Sequence, residues 1–229
     1  MIKAVLFDLD NTLMDFMKMK KHACEEAMSA MRDAGLNVDK KKGLKILYEL
    51  YDKHGIEDKT IFQKVLTKLN KKIDYCILAN GIVSYRKVKE GFLNTYPHVN
   101  STLMGLKQKG IKLAVVSDAP RMRAWTRLAA LRLTHYFDLV ITHDDTKKFK
   151  PHPKPFKLAL TSLKLEPEEV LMIGDWPERD VRGAKKLGMK TCFAKYGYSV
   201  KHRGIPKDYA DYEIGDVREL LKIVRKENK

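Results

Sequence analysis

Short apolar runs alternate with helix-like segments along the second half of the chain, from about residue 97 onward. In the helix-like segments the apolar residues recur at intervals of three and four, whereas the short runs are apolar almost throughout. Strands of that kind are typical of a parallel sheet that helices cover on both faces. The predicted strands are 2–7, 111–116, 139–141, 170–173 and 190–194. The alternation therefore predicts an α/β fold.

Residues 16–95 interrupt this alternation, because helical spacing dominates there and strand signals are missing. Gly35 and Gly55 separate the segments. The predicted helices are 17–34, 40–53, 58–70 and 73–94. We therefore predict a core domain formed by 1–15 and 96–229, with a helical domain, 16–95, inserted into it.

The chain carries a formal net charge of +16, from 45 Lys and Arg against 29 Asp and Glu. Such a charge can serve to bind nucleic acid. It can also belong to a lysine-rich solvated surface with some attraction for anionic substrates. The basic residues are spread over the whole chain, without a basic tail or a recognised nucleic-acid motif. We therefore favour the second interpretation and expect no nucleic-acid partner.

The remaining composition excludes several other classes of protein. The three cysteines, Cys24, Cys76 and Cys192, are far apart and form no CxxC pair, so neither a disulfide framework nor a zinc site is expected. No run of about 18 apolar residues is present, so we expect no membrane span. The first residues lead directly into an apolar strand without a secretory pattern, and a cytoplasmic location is expected.

Two carboxylates, Asp8 and Asp10, directly follow the first predicted strand. Ligands of open α/β sheets bind beyond the carboxyl ends of the strands, which makes this turn a candidate site. Two carboxylates so close together repel each other. A bound Mg²⁺ would relieve the repulsion, because that ion prefers oxygen ligands. An acidic turn without an ion stays open as the alternative.

Ser117 and Asp118 follow the strand 111–116 in the same way. A small hydroxyl and the main-chain N–H groups of such a turn can donate hydrogen bonds to a phosphate. Lys150 stands in a loop that Pro151, Pro153 and a further proline at 155 stiffen. A cation held in place can balance both a phosphate and a carboxylate.

Gly174 and Asp175 follow the strand 170–173, and Asp180 comes five residues after Asp175. Glycine permits a sharp turn and a close approach of the backbone. Asp180 would return to the same region from the start of the next helix. These positions supply the further carboxylates that a divalent ion needs.

Taken together, these residues resemble the motifs of the haloacid dehalogenase superfamily of hydrolases. The matching segments are DLDNTL at 8–13, Ser117, KPHP at 150–153 and GDWPERD at 174–180. With the flanking strands, the resemblance covers nearly the whole chain. It implies a Rossmann-like catalytic core and identifies the helical insertion 16–95 as a cap domain.

The resemblance also implies a Mg²⁺-dependent phosphohydrolase that acts on a small phosphorylated metabolite. Asp8 would attack phosphorus and form an aspartyl-phosphate, and Asp10 would act as the general acid and then as the general base. The implied phosphate-binding residues are Ser117, Asp118 and Lys150. The implied metal ligands are Asp8, the main-chain carbonyl of Asp10, and Asp175, with Asp180 in a supporting position.

Within the superfamily, Asp10 argues against carbon–halogen chemistry, because a halide leaving group takes no proton. A phosphomutase shares the same core residues and stays open, as does a non-enzymatic nucleic-acid-binding protein on this fold. Sugar phosphates, phosphoglycolate, triose phosphates and nucleotides are all possible substrates. Either a monomer or a homodimer is compatible with the sequence.

Overall fold

A computed structural model describes residues 1–197 and 209–229, and its strands form one parallel sheet. The strands are β1 (Ala4–Phe7), β2 (Lys112–Val116), β3 (Leu139–Ile141), β4 (Val170–Gly174), β5 (Lys190–Ala194) and β6 (Tyr212–Ile214). Their order across the sheet is β3-β2-β1-β4-β5-β6, and every neighbouring pair is parallel. The predicted α/β class and its parallel sheet are confirmed.

Strand β1 lies at the centre of the sheet, between β2 and β4. Phe7, its last residue, is in register with Val115 of β2 and with Ile173 of β4. All three strands run in the same direction, so their carboxyl ends finish side by side. The residues that follow these three strands therefore meet at one edge of the sheet.

The four helices predicted within 16–95 are present as α1 to α4, with small shifts at their ends. The helices of the structure are α1 (Phe16–Asp33), α2 (Lys40–His54), α3 (Ile61–Asn70), α4 (Tyr75–Gly91), α5 (Val99–Gln108), α6 (Arg121–Ala130), α7 (His143–Thr146), α8 (Pro153–Leu163), α9 (Arg182–Lys185) and α10 (Glu219–Glu227). After β4 the chain forms a π-helical turn, Pro177–Val181, which the short α9 follows directly. Strand β6 was not predicted, because Tyr-Glu-Ile is too short and too polar to stand out.

Contacts divide the described residues into two compact units. The first consists of Met1–Asp15 and Asn94–Lys229, and the second of Phe16–Leu93. In the first unit, α8 and α9 pack on one face of the sheet through a core that includes Leu6, Phe156 and Met172. Helix α5 contacts β2 and α10. The helices α1 to α5 are inserted between β1 and β2.

The second unit is a bundle of α1 to α4, in which α1 packs extensively against α4. Its core is formed by buried apolar residues of all four helices, among them Met28, Leu47, Val65 and Ile77. None of the helices in the described parts of the chain has the length and apolarity that a membrane crossing requires.

Asp58 anchors the loop that leads into α3 of this bundle. Its Oδ1 accepts hydrogen bonds from the Thr60 main-chain N–H at 2.7 Å and from the Thr60 hydroxyl at 2.8 Å, and its Oδ2 pairs with Lys64. Burial works to raise the pKa of Asp58, but the hydrogen bonds from Lys64 and Thr60 outweigh it and lower the pKa to about 2.

We therefore expect Asp58→Asn to lower the free energy of unfolding in a pH-dependent way. Asn keeps an oxygen for Thr60 and removes the charge that faces Lys64. Because the Lys64 side chain is 34% exposed, screening limits the loss at pH 7 to about 1 kcal/mol. Because folding lowers the pKa of Asp58, the ionised carboxylate stabilises the folded state above pH 3.8, its ordinary pKa. This stabilisation is lost as the pH falls toward 2. Denaturant unfolding at pH 7 and in the acid range tests this; a loss that is equal at both pH values would contradict it.

Candidate active site

Lys150 lies buried at the carboxyl edge of the sheet, where its ammonium group joins three segments of the chain. Its Nζ is 2.5 Å from Asp8 Oδ1, 2.6 Å from Asp180 Oδ1 and 2.8 Å from the carbonyl oxygen of Val116. Burial alone would lower the pKa of Lys150, but the neighbouring carboxylates, led by those of Asp180 and Asp8, outweigh it and raise the pKa. Lys150 is therefore a positively charged group that its partners hold in a fixed position.

Asp8 is held at the end of β1 from several sides. Its main-chain N–H donates to the Ile173 carbonyl at 2.9 Å, which continues the pairing with β4. The Thr12 hydroxyl donates to Asp8 Oδ2 at 3.3 Å and accepts from the Asp175 N–H at 3.1 Å. Thr12 is fully buried and was not predicted as a site residue, although it stands inside the acidic segment 8–13. It links the first carboxylate of the site to the turn after β4.

Asp8, Asp175 and Asp180 form a cluster of buried carboxylates. One oxygen of each lies within 4.8 Å of the others. Burial is the main cause that raises the pKa values of Asp175 and Asp180, and in both the negative charge of Asp8 adds to the effect. Lys150 supplies one positive charge against these three carboxylates. The cluster therefore fits a divalent cation that prefers oxygen ligands, as Mg²⁺ does.

Asp180 reaches this cluster because the turn after β4 passes close to the strand end. The Trp176 main-chain N–H donates to Asp180 Oδ2 at 3.1 Å, within the π-helical turn that starts at Pro177. A Cβ atom at Gly174 would overlap the carboxylate of Asp180. Glycine at 174 is therefore what lets Asp180 approach the strand end.

Ser117 and Asp118 follow β2 on the other side of β1. The Ser117 hydroxyl accepts a hydrogen bond from the Ala119 N–H at 3.1 Å, and Ser117 itself is buried. Asp118 Oδ1 accepts from the Lys150 N–H at 2.8 Å, and Oδ2 lies 3.3 Å from Nη1 of Arg179. The Asp118 carboxylate thus holds the loop that carries Lys150. Any contribution of Asp118 to phosphate binding would therefore come from its main-chain N–H.

The Asp10 carboxylate lies outside the cluster of Asp8, Asp175 and Asp180. Its Oδ2 is 2.6 Å from Nη1 of Arg127, a buried residue of α6. The prediction that Asp10 offers its main-chain carbonyl to a metal stays a prediction. Sequence reasoning missed Arg127, although a signal exists: Ala124 and Leu128 define the buried side of α6, and Arg127 falls on the same side.

The sequence profile of the haloacid dehalogenase-like hydrolases matches residues 5–194. The glyceraldehyde 3-phosphate phosphatase of Methanocaldococcus jannaschii is 37% identical over 226 residues, which cover 98% of this chain and 98% of that relative. The enzyme of the same name from Pyrococcus furiosus is 34% identical over 227 residues, with 99% and 95% covered.

Among solved structures, the fold is similar to that of a HAD phosphatase from Thermococcus onnurineus. The TM-score is 0.70 at 28% identity, and the match covers 97% of this chain and 98% of that one. Because the match covers nearly the full length of both chains, both proteins contain the sheet and the helical insertion.

The position of Gly174 yields a test of the site's geometry. We expect Gly174→Ala to lower the turnover of a phosphate ester at least about tenfold and to destabilise the fold by about 1–3 kcal/mol, because the added methyl group displaces Asp180 from Lys150. Gly215→Ala is the matched control, since the nearest atom to its added methyl group is Glu219 Oε1 at 4.0 Å. Steady-state kinetics and thermal unfolding of both variants measure the effect. A Gly174→Ala enzyme with unchanged turnover would show that the placement of Asp180 is unimportant.

Proposed function

The chain belongs to the haloacid dehalogenase-like hydrolases and is a phosphatase of that family, and we propose that it is a Mg²⁺-dependent enzyme that hydrolyses a small phosphorylated metabolite through an aspartyl-phosphate on Asp8. One observation carries the proposal: buried Lys150 is paired with Asp8 and Asp180, and Asp175 lies in the same cluster. A nucleophilic carboxylate, a fixed cation and oxygen ligands for a metal thus lie at one strand edge, as phosphoryl transfer requires.

In the first step, an oxygen of the Asp8 carboxylate attacks the phosphorus atom of the ester. The bond between phosphorus and the ester oxygen breaks, and that oxygen leaves with a proton that Asp10 gives it. The Ser117 hydroxyl and the Asp118 main-chain N–H donate hydrogen bonds to the phosphoryl oxygens. Lys150 holds Asp8 in position and offsets the negative charge of the transferring group.

In the second step, water attacks the phosphorus atom of the aspartyl-phosphate. Asp10, now ionised, takes a proton from that water, the bond between phosphorus and the Asp8 oxygen breaks, and inorganic phosphate is released. Asp10 thereby regains the proton that it gave up, and Asp8 regains its carboxylate. The two steps add water to the ester and produce an alcohol and phosphate.

Asp8, Asp175 and the main-chain carbonyl of Asp10 would hold the metal ion, and Asp180 would support them through Lys150. When bound, Mg²⁺ supplies positive charge that offsets the crowded carboxylates and the phosphoryl oxygens. All the proposed ligand atoms are oxygens, which suits Mg²⁺ better than a softer metal.

We propose glyceraldehyde 3-phosphate as the leading substrate. Two relatives with that activity are 37% and 34% identical to this chain over nearly their full length. We also propose that the Phe16–Leu93 unit acts as a cap that selects the substrate. Its basic residues, 17 Lys and Arg in 16–93, are compatible with an anionic ligand.

Phosphate release from a panel of esters tests this function. The panel contains glyceraldehyde 3-phosphate, phosphoglycolate, glucose 1-phosphate and a nucleoside monophosphate, each with Mg²⁺ and with a chelator. We expect the highest kcat/KM for glyceraldehyde 3-phosphate, and loss of turnover without the metal. Asp8→Asn should lower kcat at least about a thousandfold, because a carboxamide is a poor nucleophile.

Asp33→Asn is the matched control, since Asp33 is an exposed aspartate at the end of α1 and should be replaceable without effect. Full activity of Asp8→Asn would disprove the proposed nucleophile. Isomerisation of a sugar phosphate with little free phosphate would identify a mutase instead. Salt-sensitive binding of DNA or RNA without turnover would favour a non-enzymatic protein.

A further inference from the structure

Arg127 carries a permanent charge on the buried side of helix α6. Its side chain is 3% exposed, and Arg127 is the one buried arginine among residues 1–197 and 209–229. Its neighbours on that side of the helix, Ala124 and Leu128, are apolar and fully buried. Taking a guanidinium group out of water is costly, so its position must be compensated by a specific contact.

That contact is with Asp10, the proposed acid and base. Nη1 of Arg127 lies 2.6 Å from Asp10 Oδ2, a short distance for a charge-assisted hydrogen bond. The two residues are 117 positions apart in the chain, so the contact depends on the folded core. Asp10 lies just beyond β1, whereas Arg127 lies on the helix that follows β2 and the turn of Ser117. Arg127 therefore ties the acid/base residue to the element that carries the proposed phosphate-binding turn.

The chemistry of arginine limits what this contact can do. A guanidinium group donates hydrogen bonds, accepts none and does not give up its proton in proteins. Arg127 therefore takes no part in the proton transfer itself. Its bond to Oδ2 fixes the orientation of the carboxylate and directs proton exchange with the substrate to the other oxygen, Oδ1. A buried ion pair by itself adds little stability compared with apolar residues of similar size, so a structural role is a weaker explanation.

We propose that Arg127 is a positioning residue for Asp10: it holds the carboxylate in the orientation from which Asp10 protonates the leaving group and then activates water. This inference rests on the proposed function, because it assumes that Asp10 is the acid and base. Proton transfer by a positioned side chain contributes about 100- to 10,000-fold to a rate, and small misplacements remove much of that. Arg127 would thus act on kcat through Asp10 and would leave substrate binding almost unchanged.

A double-mutant cycle with Mg²⁺ and the alkyl phosphate of the panel above that is hydrolysed fastest tests the proposal, because an alkoxide leaving group needs the proton of Asp10. We expect Arg127→Met to lower kcat about 10- to 100-fold while KM stays within about twofold. In an Asp10→Asn background the same substitution should change kcat less than about twofold, because the residue that Arg127 orients has already lost its function. Arg127→Lys, which keeps a charged donor, should restore part of the loss.

Equal losses from Arg127→Met in both backgrounds would overturn the proposal and assign Arg127 a purely structural role. A rise in KM at unchanged kcat would overturn it as well. Thermal unfolding identifies a variant that does not fold; in that case Arg127→Lys goes through the same cycle, with a loss of kcat expected only beside an intact Asp10. If Asp10→Asn alone keeps full activity, Asp10 is not the acid and base, and the proposed function is wrong in that respect. This result can be told apart from equal losses in both backgrounds, which contradict only the role of Arg127.

Discussion

The ammonium group of Lys150 is the point on which the arrangement of the site depends. It contacts Asp8 after β1, the Val116 carbonyl at the end of β2, and Asp180 after β4. Lys150 is 3% exposed, and burial of its charge without partners would cost much free energy. The two carboxylates make this burial possible. Removal of Lys150 would leave the buried carboxylates of Asp8 and Asp180 without their positive partner. The pairing thus fastens the three central strand ends to one another.

The carboxylates of the cluster outnumber the one positive charge of Lys150, and this excess of negative charge explains the chemistry of the site. Asp8, Asp175 and Asp180 form one carboxylate cluster, Lys150 supplies one positive charge to it, and burial together with the repulsion of neighbouring carboxylates raises the pKa values of Asp175 and Asp180. A divalent cation relieves the crowding. The same positive charges that make the carboxylate cluster stable also stabilise a phosphoryl group in transfer. The folded carboxylate cluster and the transfer of a phosphoryl group therefore both need positive charge at this edge of the sheet.

Sequence reasoning could place Asp8, Ser117, Lys150 and Asp175 because each follows a strand or stands in a proline-rich loop, and parallel strands end on one side. It could not place side chains that come from helix faces. Arg127 can be recognised as a candidate only after the buried side of α6 is known. The helix contains several basic residues, and the sequence alone does not show which of them points inward. Asp118 was assigned to the phosphate site because it follows a strand, and that assignment stays a prediction. The contacts of its carboxylate with the Lys150 N–H and with Arg179 depend on loop geometry and were not predicted. The substrate depends on side chains of the helical insertion, which helical periodicity does not specify.

In the proposed mechanism Asp8 becomes covalently phosphorylated during turnover. Rapid mixing of enzyme, Mg²⁺ and glyceraldehyde 3-phosphate, a quench with denaturant, and reduction with borohydride test it, because borohydride reduces an acyl phosphate to an alcohol. We expect peptide mass spectrometry to find residue 8 converted to homoserine only when substrate is present. Conversion of a different aspartate, or no conversion during active turnover, would contradict it.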